Sequence, residues 1–324
     1  MKALGVLANS PAMRHWQRTL RKLLRFEGVG LHTGEQVSIC VIPAPANSGI
    51  VFRQNGSERS TIPALIANVS ASNSQLCTKL TANGWSVSTP EHLMAALVAS
   101  RITNAFVDFE NNQSPYSKSE VPVLDGSSVK FMKGIQHVGI EEQEGAELKY
   151  LCVKRPVHVF KQDKNACFLP TPNNGRAPTL HMSVQVNFEH KRLDAKLCRF
   201  TLGPDPTLTM DAFNRDIAPA RTFTFEEEIK WLHANGLALG GSLDNAVVFS
   251  KKQQADAKPI VLNLEGLRFP DEWTRHKMLD CIGDIGLAGL PLHGYFYASR
   301  PGHALTHELL RELYKDPENY AEMP

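Results

Sequence analysis

Apolar and polar residues alternate along much of the first half of the chain, a pattern typical of half-buried β-strands. Val37, Ile39 and Val41 carry this alternation most clearly. Helical spacing appears over 90–100 and again after Ser127, where apolar residues recur every three or four positions. The first half is therefore predicted to consist of strands with two added helices.

The second half begins with the same strand pattern. Apolar residues occupy alternate positions from Leu180 to Phe188, which predicts another half-buried strand. Helical spacing then returns, with short apolar runs between the helices. The predicted helices occupy 224–235, 271–287 and 303–314, and the predicted strands between them occupy 247–249 and 294–298.

An acidic segment with few large apolar residues, 141–147, separates the two halves and is the predicted domain boundary. Each half runs from strands to helices, which predicts two α+β domains rather than one wound parallel sheet. We expect these domains to span 17–142 and 148–316. Each would be a layered sheet-and-helix sandwich, with the active site at the domain interface.

Composition excludes several classes of protein. The 324 residues are 42% hydrophobic and 21% charged, which is typical of globular domains and excludes disorder, collagen and coiled coils. A net charge of +2 gives no basic field for nucleic acid, so none is expected as a partner. No apolar run is long enough to predict a membrane-spanning helix. Six cysteines without a CxxC spacing predict buried free thiols and no disulfides.

The first 26 residues carry six basic side chains and no acidic one. Mitochondrial presequences and ordinary basic termini share this bias. We expect a cytoplasmic protein, with cleavage near residue 16 and a mitochondrial location as the alternative.

The segment 275–284 predicts a helix with one ionisable face and one apolar face. At about 100° per residue, His276, Lys277, Asp280 and Asp284 fall on the same side. A histidine and an aspartate four residues apart can supply two ligands to zinc. The alternative is a solvent-exposed face on which His276 and Asp280 form a hydrogen bond.

Residues 88–97 predict the start of another helix. Ser88 and Glu91 have the spacing of a capping box, and Pro90 suits a first helical turn. Capping would explain Glu91 but leaves His92 without a role. A carboxylate beside a histidine can also place a general base next to a metal ligand, so both interpretations stay open.

Two shorter motifs are less specific. The turn at 300–302 brings His303 to a helix N-terminus, where the helix dipole is expected to lower its pKa. The alternative for His303 is a capping or surface residue. The run 239–242 lacks the spacing of a phosphate loop and predicts a tight loop whose backbone closely approaches a neighbour.

Together these motifs resemble one family. From Gln17 to Leu313 the sequence is similar to the zinc-dependent UDP-3-O-acyl-N-acetylglucosamine deacetylases of lipid A biosynthesis. An insertion around 111–119 and an extended N-terminus depart from the family pattern without removing a catalytic position. The matching stretches, in family order, are GVGLHTG (28–34), PAPAN (43–47), STPEHL (88–93), VPVLDGS (121–127), ARTF (220–223), GGSLD (240–244), RHKMLD (275–280) and GHAL (302–305).

The resemblance implies a catalytic Zn²⁺ site and an acid/base pair. His92, His276 and Asp280 would be the metal ligands, which leaves a fourth position for water. Glu91 would take a proton from the attacking water. His303 would stabilise the oxyanion and protonate the leaving amine.

By the same resemblance, three more residues would support the reaction. Asp284 would hold the protonated histidine, and Thr222 would donate a hydrogen bond to the oxyanion. Lys277 would contact the substrate or the oxyanion.

The resemblance also implies a UDP-linked acylated amino sugar as the partner. An apolar passage built from 223–248 would take the fatty acyl chain, and Phe188 would meet the uracil. The alternative for these apolar residues is plain core packing. We further expect a monomer with transient membrane-surface contact. The passage wall would consist of Phe223, Ile229, Leu237, Gly241 and Ser242.

Two rival functions explain fewer residues. A non-catalytic homologue that binds zinc or a nucleotide-linked lipid has no need for Glu91 or His303. A peptidase is disfavoured because the sequence contains no HExxH motif. The sequence therefore favours a zinc-dependent deacetylase that releases acetate.

Overall fold

The structure, a computed structural model, describes residues 15–70, 76–110, 119–172, 177–188, 193–250 and 260–324. The elements of its first half are β1 (Trp16–Leu20), β2 (Leu24–Val29), β3 (Gln36–Pro43), β4 (Ile50–Gln54), β5 (Thr61–Pro63), β6 (Lys79–Ala82), β7 (Trp85–Ser88), α1 (Glu91–Ala99), β8 (Ala105–Glu110), β9 (Ser119–Glu120), α2 (Val129–Val138) and β10 (Ile140–Glu147).

The second half is described in the same way. Its elements are β11 (Tyr150–Val153), β12 (Val157–Lys161), β13 (Lys164–Leu169), β14 (Leu180–Phe188), β15 (Leu193–Leu202), α3 (Pro206–Asp216), β16 (Phe223–Phe225), α4 (Glu226–Ala234), β17 (Val247–Phe249), α5 (Glu272–Ile285), β18 (Leu292–Ser299), α6 (His303–Lys315) and β19 (Tyr320–Met323).

The first half is organised around a mixed sheet of five strands in the order β2-β3-β8-β4-β5. Strands β2 and β3 are antiparallel, whereas β4 runs parallel to β8. A smaller sheet, β6-β7-β9, precedes and follows α1 in the chain. Strand β7, which leads into this helix, is therefore paired on both sides, with β6 and with β9.

The second half contains a seven-stranded mixed sheet with β18 at its centre. Strand β18 is antiparallel to β13 and parallel to both β11 and β14. Helix α6 packs against β12 and β13, and α5 packs against β14 and β15. The predicted α+β class is confirmed, because the structure combines helices with several mixed sheets.

The elements predicted for the second half are also confirmed, with bounds shifted by at most a few residues. The segment 141–147 lies in β10, which pairs with β1. It is therefore a strand associated with the beginning of the chain. One hydrophobic cluster extends through both halves, from Leu20 to Leu313, and the division into two domains stays a prediction.

Helices α1 and α5 join the two halves by an unusually close approach. A Cβ on Gly283 would lie 2.1 Å from the carbonyl oxygen of Glu91, and a Cβ on Gly286 would lie 2.6 Å from a methyl group of Val98. Only glycine permits this backbone contact. The first turn of α1 is thereby held against the last turns of α5.

All six cysteines are buried as free thiols. None of the helices in the described ranges combines the length and apolar character needed to cross a membrane. Residues 1–14, on which the presequence alternative depends, lie outside the described part of the chain.

Replacing Gly283 by alanine should separate the two helices. The added methyl group would lie far inside van der Waals contact with backbone, and overpacking of this kind costs about 1–3 kcal/mol or more. We expect a lower melting temperature and a loss of activity. Gly203→Ala is the matched control, since its nearest neighbour would lie at an ordinary 3.7 Å. Equal melting temperatures for the two variants would contradict the close contact.

Candidate active site

Helix α5 carries a line of ionisable side chains into the interior of the protein. His276, Asp280 and Asp284 lie on successive turns, and all three are buried. The alternative of a solvent-exposed face is therefore wrong. Buried polar and charged groups need partners, and helices α1 and α6 provide them.

Three side chains form a compact donor cluster. Nε2 of His276 lies 3.3 Å from Oδ1 of Asp280, and Nε2 of His92 lies 3.7 Å from the same oxygen. One ligand atom from each residue lies within 4.8 Å of the others. His92 belongs to α1, whereas the other two residues belong to α5. The residues expected to ligate zinc are thus brought together from both halves.

The protonation states of this cluster suit a divalent metal. Burial, with a contribution from His276, lowers the pKa of His92 to about 3, and burial also lowers the pKa of His276. Burial opposes ionisation of Asp280, but His276 and Lys277 hold the pKa of this carboxyl below its ordinary value. Two neutral imidazoles and a carboxylate are the nitrogen and oxygen ligands that zinc prefers.

The ring of His276 is also oriented for metal binding. Its Nδ1 lies 3.1 Å from the carbonyl oxygen of Ala220. A hydrogen bond from Nδ1–H to that oxygen leaves the lone pair on Nε2, which is the nitrogen nearest Asp280. The donor set and its orientation therefore fit a zinc ion.

Glu91 is the first residue of α1 and is buried. Its Oε2 accepts a hydrogen bond from the N–H of Thr78 at 3.3 Å, and its Oε1 lies 3.6 Å from Nε2 of His303. Ser88 belongs to β7, and Pro90 is the N-cap of a helix without a side-chain cap. The capping-box interpretation is therefore wrong.

Glu91 and His303 form an acid/base pair with raised pKa values. Burial raises the pKa of Glu91 to about 8, against the opposing effect of His303. Burial alone would lower the pKa of His303, but Asp284 and Glu91 raise it to about 10. Nδ1 of His303 lies 2.9 Å from Oδ2 of Asp284. The expectation that the helix dipole lowers the pKa of His303 is therefore wrong, because two carboxylates outweigh the dipole. The burial of His303 also excludes a surface role.

Asp284 has two further partners that sequence reasoning missed. Oγ1 of Thr78 donates to its Oδ1 at 2.6 Å, and Nε2 of His307 lies 3.3 Å from the same oxygen. Burial opposes ionisation, but His303 and His307 hold the pKa of Asp284 well below its ordinary value. The spacing of His303 and His307, one helical turn apart on α6, was an available signal. Thr78 belongs to none of the motifs.

A strained turn leads into α1. Thr89 has a φ of 57°, in the left-handed region that disfavours β-branched residues. Its Oγ1 donates to Glu120 at 2.9 Å, and its N–H donates to the carbonyl oxygen of Thr78 at 2.9 Å. These bonds hold the backbone in the conformation that places Glu91 at the start of the helix.

Glu120 also organises the loop that precedes β3. Its two carboxylate oxygens accept hydrogen bonds from the N–H groups of His32 and Thr33, both at 2.9 Å. A Cβ on Gly30 would lie 2.4 Å from Oε2 of Glu120. Sequence reasoning identified neither Glu120 nor His32, although His32 lies within GVGLHTG and Glu120 directly precedes VPVLDGS.

Lys277 lies beside Asp280, and Thr222 precedes Phe223, whose ring centroid is 6.3 Å from that of His276. Nζ of Lys277 is 2.9 Å from Oδ2 of Asp280 and lies over the ring of Phe223. Burial would lower the pKa of Lys277, but Asp280 raises it above its ordinary value, so the ammonium is retained. The N–H of Thr222 donates to the carbonyl oxygen of Gly126 at 2.7 Å.

The residue before Thr222 anchors this segment. Arg221 is fully buried, and its Nε lies 2.9 Å from Oε1 of Glu272 at the start of α5. The same guanidinium contacts Glu265 and donates to the carbonyl oxygen of Gly266 at 2.7 Å. A buried arginine with this many acceptors fixes the backbone on which Thr222 lies.

A largely apolar cavity of about 300 Å³ opens beside Thr222 and Phe223. Among the residues expected to line an acyl passage, Ile229, Gly241 and Ser242 also line this cavity. Leu237 follows α4 and is not among the lining residues.

Gly240 brings the wall of this cavity against the first half. A Cβ on Gly240 would lie 2.3 Å from the carbonyl oxygen of Gly30, which confirms the tight approach predicted for 239–242.

Two features named in the sequence analysis lie outside the part of the chain that the structure describes. They are the side chain of Phe188, at the end of β14, and residues 111–118 of the insertion.

Comparison with known proteins gives consistent matches over most of the chain. A family model described as UDP-3-O-acyl N-acetylglycosamine deacetylase matches residues 17–315. A UDP-3-O-acyl-N-acetylglucosamine deacetylase of Geobacter sp. strain M21 is 39% identical over 306 residues, which cover 94% of this chain and 91% of the relative. The deacetylase of Myxococcus xanthus is 39% identical over 95% of this chain and 89% of its own. The deacetylase of Alcanivorax borkumensis is 36% identical over 94% of this chain and 91% of its own.

The metal-free protein should lose a stabilising contribution from His303 as the pH rises. The pKa of this group is about 10 in the folded protein against an ordinary value of 6.5. The folded state therefore holds the proton more tightly, so the contribution is complete below about pH 6.5 and is lost as the pH rises through about 10. We expect the melting-temperature difference between chelator-treated wild type and His303→Gln to shrink over this range.

His181→Gln, at an exposed position on β14, is the matched control for this measurement. Its melting temperature should follow that of the wild type at every pH. A His303→Gln difference that stays constant from pH 6 to 10 would mean that His303 is not held as a cation.

Proposed function

Because this chain belongs to the family of UDP-3-O-acyl-N-acetylglycosamine deacetylases, we propose that it hydrolyses the acetamide of UDP-3-O-acyl-N-acetylglucosamine in lipid A biosynthesis. It is a hydrolase that acts on a linear amide. The observation that carries the assignment of its machinery is the buried cluster at α1, α5 and α6. That cluster places two neutral imidazoles and a carboxylate beside an acid/base pair.

His92, His276 and Asp280 are the residues that would hold the metal, which we propose to be zinc. When bound, zinc supplies Lewis-acid chemistry that makes water acidic enough to act as a nucleophile near neutral pH. Three nitrogen and oxygen ligands, rather than four cysteine or histidine ligands, suit a catalytic site.

The remaining groups move protons and stabilise charge. Glu91 accepts a proton from the attacking water as its oxygen bonds to the acetamide carbonyl carbon. Thr222 and Lys277 stabilise the oxyanion. His303, held by Asp284, donates a proton to the nitrogen as the carbon–nitrogen bond breaks. Acetate and UDP-3-O-acyl-glucosamine are the products.

The cavity beside the cluster supports a fatty acyl substituent on the substrate. Its lining by Phe223 and Ile229 suits an alkyl chain, and Gly241 and Ser242 leave room for one. We assign the uracil contact to Phe188 from the family resemblance alone. An amphiphilic substrate of this kind favours transient contact of a monomeric enzyme with a membrane surface.

We place the reaction in the cytoplasm, since the relatives named above are bacterial proteins. A mitochondrial location remains the alternative if the basic N-terminus is cleaved. A non-catalytic homologue is not favoured, because it has no use for Glu91 and His303, and both lie buried at the cluster.

Purified active protein should contain about one zinc ion per chain. Treatment with a chelator should abolish acetate release, and zinc should restore it. His276→Ala should lower the zinc content measured by elemental analysis, whereas the exposed control His181→Gln should keep it. Active protein without any transition metal would falsify the metal assignment.

Glu91→Gln should keep zinc and melt like the wild type but lose roughly 10²-fold or more in rate, as removal of a general base predicts. The wild-type rate should be bell-shaped in pH, because the reaction needs Glu91 ionised and His303 protonated. Glu91→Gln should remove the acidic limb, and His303→Ala should mainly remove the basic limb. Acetate release from the nucleotide substrate measures all of these rates. A folded Glu91→Gln protein with the wild-type rate would rule out this mechanism.

A further inference from the structure

Thr78 is bonded to both sides of the acid/base pair. It is 1% exposed and lies just before β6. Its backbone N–H donates to Oε2 of Glu91 at 3.3 Å, while its side-chain Oγ1 donates to Oδ1 of Asp284 at 2.6 Å. The first bond reaches the proposed general base, and the second reaches the carboxylate that holds His303.

His307 determines the direction of the Thr78 hydroxyl. Nε2 of His307 lies 3.0 Å from Oγ1 of Thr78. Nδ1 of His307 is buried without a hydrogen-bond partner among the described residues, so the proton belongs on Nε2, where two oxygens can accept it. The hydroxyl of Thr78 then accepts from His307 and directs its single proton to Asp284.

The backbone of Thr78 is itself held in place. Its carbonyl oxygen accepts the N–H of Thr89 at 2.9 Å. Thr89 is the residue with the strained φ, and its hydroxyl is bonded to the fully buried Glu120. Thr78 is therefore fixed at its N–H, its carbonyl and its hydroxyl, which leaves it little freedom to move relative to α1.

We propose that Thr78 is a positioning residue that sets the separation between the general base Glu91 and the Asp284–His303 pair, with its hydroxyl oriented by His307. Nε2 of His303 faces Glu91 only while Nδ1 bonds to Asp284. Loss of the Thr78 hydroxyl leaves Oδ1 of that carboxylate with only the longer 3.3 Å contact to Nε2 of His307, so that Asp284 can rotate and the His303 ring with it. This inference rests on the proposed deacetylase function.

Two substitutions separate a hydrogen-bonding role from a packing role. Thr78→Val keeps the shape and loses the hydroxyl, whereas Thr78→Ser keeps the hydroxyl and loses a methyl group. We expect Thr78→Val to lower kcat by roughly 10- to 100-fold, as is typical when the partner of a catalytic group is removed. Thr78→Ser should stay within about threefold of the wild type. KM should change little in either variant, because Thr78 acts through other residues.

Thr274→Val is the matched control. Thr274 is fully buried on α5, and its hydroxyl has no hydrogen-bond partner among the described residues, so the same substitution removes no bond. Melting temperatures of all variants show whether each is folded. A folded Thr78→Val protein with the wild-type kcat overturns the inference, and so does a Thr78→Ser protein as impaired as Thr78→Val.

A second pair of variants tests the same arrangement if Thr78→Val does not fold. His307→Gln keeps an N–H donor at the distance of Nε2, whereas His307→Leu removes it at similar size. Only the leucine variant should lose kcat, and equal kcat values for the two overturn the inference. Wild-type protein that releases no acetate overturns the proposed function and this inference with it. If the wild type releases acetate and the Thr78 and His307 variants all keep its kcat, this inference alone is overturned.

Discussion

The contact between α1 and α5 at Gly283 brings residues from distant parts of the chain into one site. Glu91 and His92 enter from the first half on α1, and His276, Asp280 and Asp284 enter from the second half on α5. With the helix backbones this close, short side chains such as aspartate can reach across. A wider separation would leave the two imidazoles on opposite walls of a gap, too far apart to share one ion.

Charge compensation is the second requirement of this interior. Three carboxyl groups, Glu91, Asp280 and Asp284, lie buried around His303, whose ring nitrogens are 2.9 to 4.0 Å from an oxygen of each. Their mutual repulsion is balanced by the His303 imidazolium and the Lys277 ammonium. Burying this many charges carries a large desolvation cost, so a buried ion pair is weak evidence of a role in stability. Their presence in the core is therefore better explained by chemistry than by folding.

Much of this arrangement could be predicted from periodicity. The spacing of His276 and Asp280 predicted a helix with an ionisable face, and the helix bounds agree closely. The capping-box interpretation failed because Thr89 adopts a positive φ and leaves Ser88 in a strand. The spacing of residues along the sequence does not reveal such a backbone conformation. The predicted direction of the His303 pKa shift was wrong for a similar reason, since the shift depends on carboxylates far away in sequence. The hydroxyl of Thr78 bonds to a residue 206 positions later, a relation that no local signal carries.

The cavity wall and the buried ionisable cluster come largely from different stretches of this protein. The cavity wall comes largely from α4 and the loop that follows it, whereas the buried ionisable groups lie on α1, α5 and α6. Exchanges along α4 can therefore reshape the cavity while the charge balance of the core stays untouched. Gly240 limits this freedom. Because it lies directly against the backbone at Gly30, and because Leu31 and His32 also line the cavity, this loop and the N-terminal half must change together where they meet.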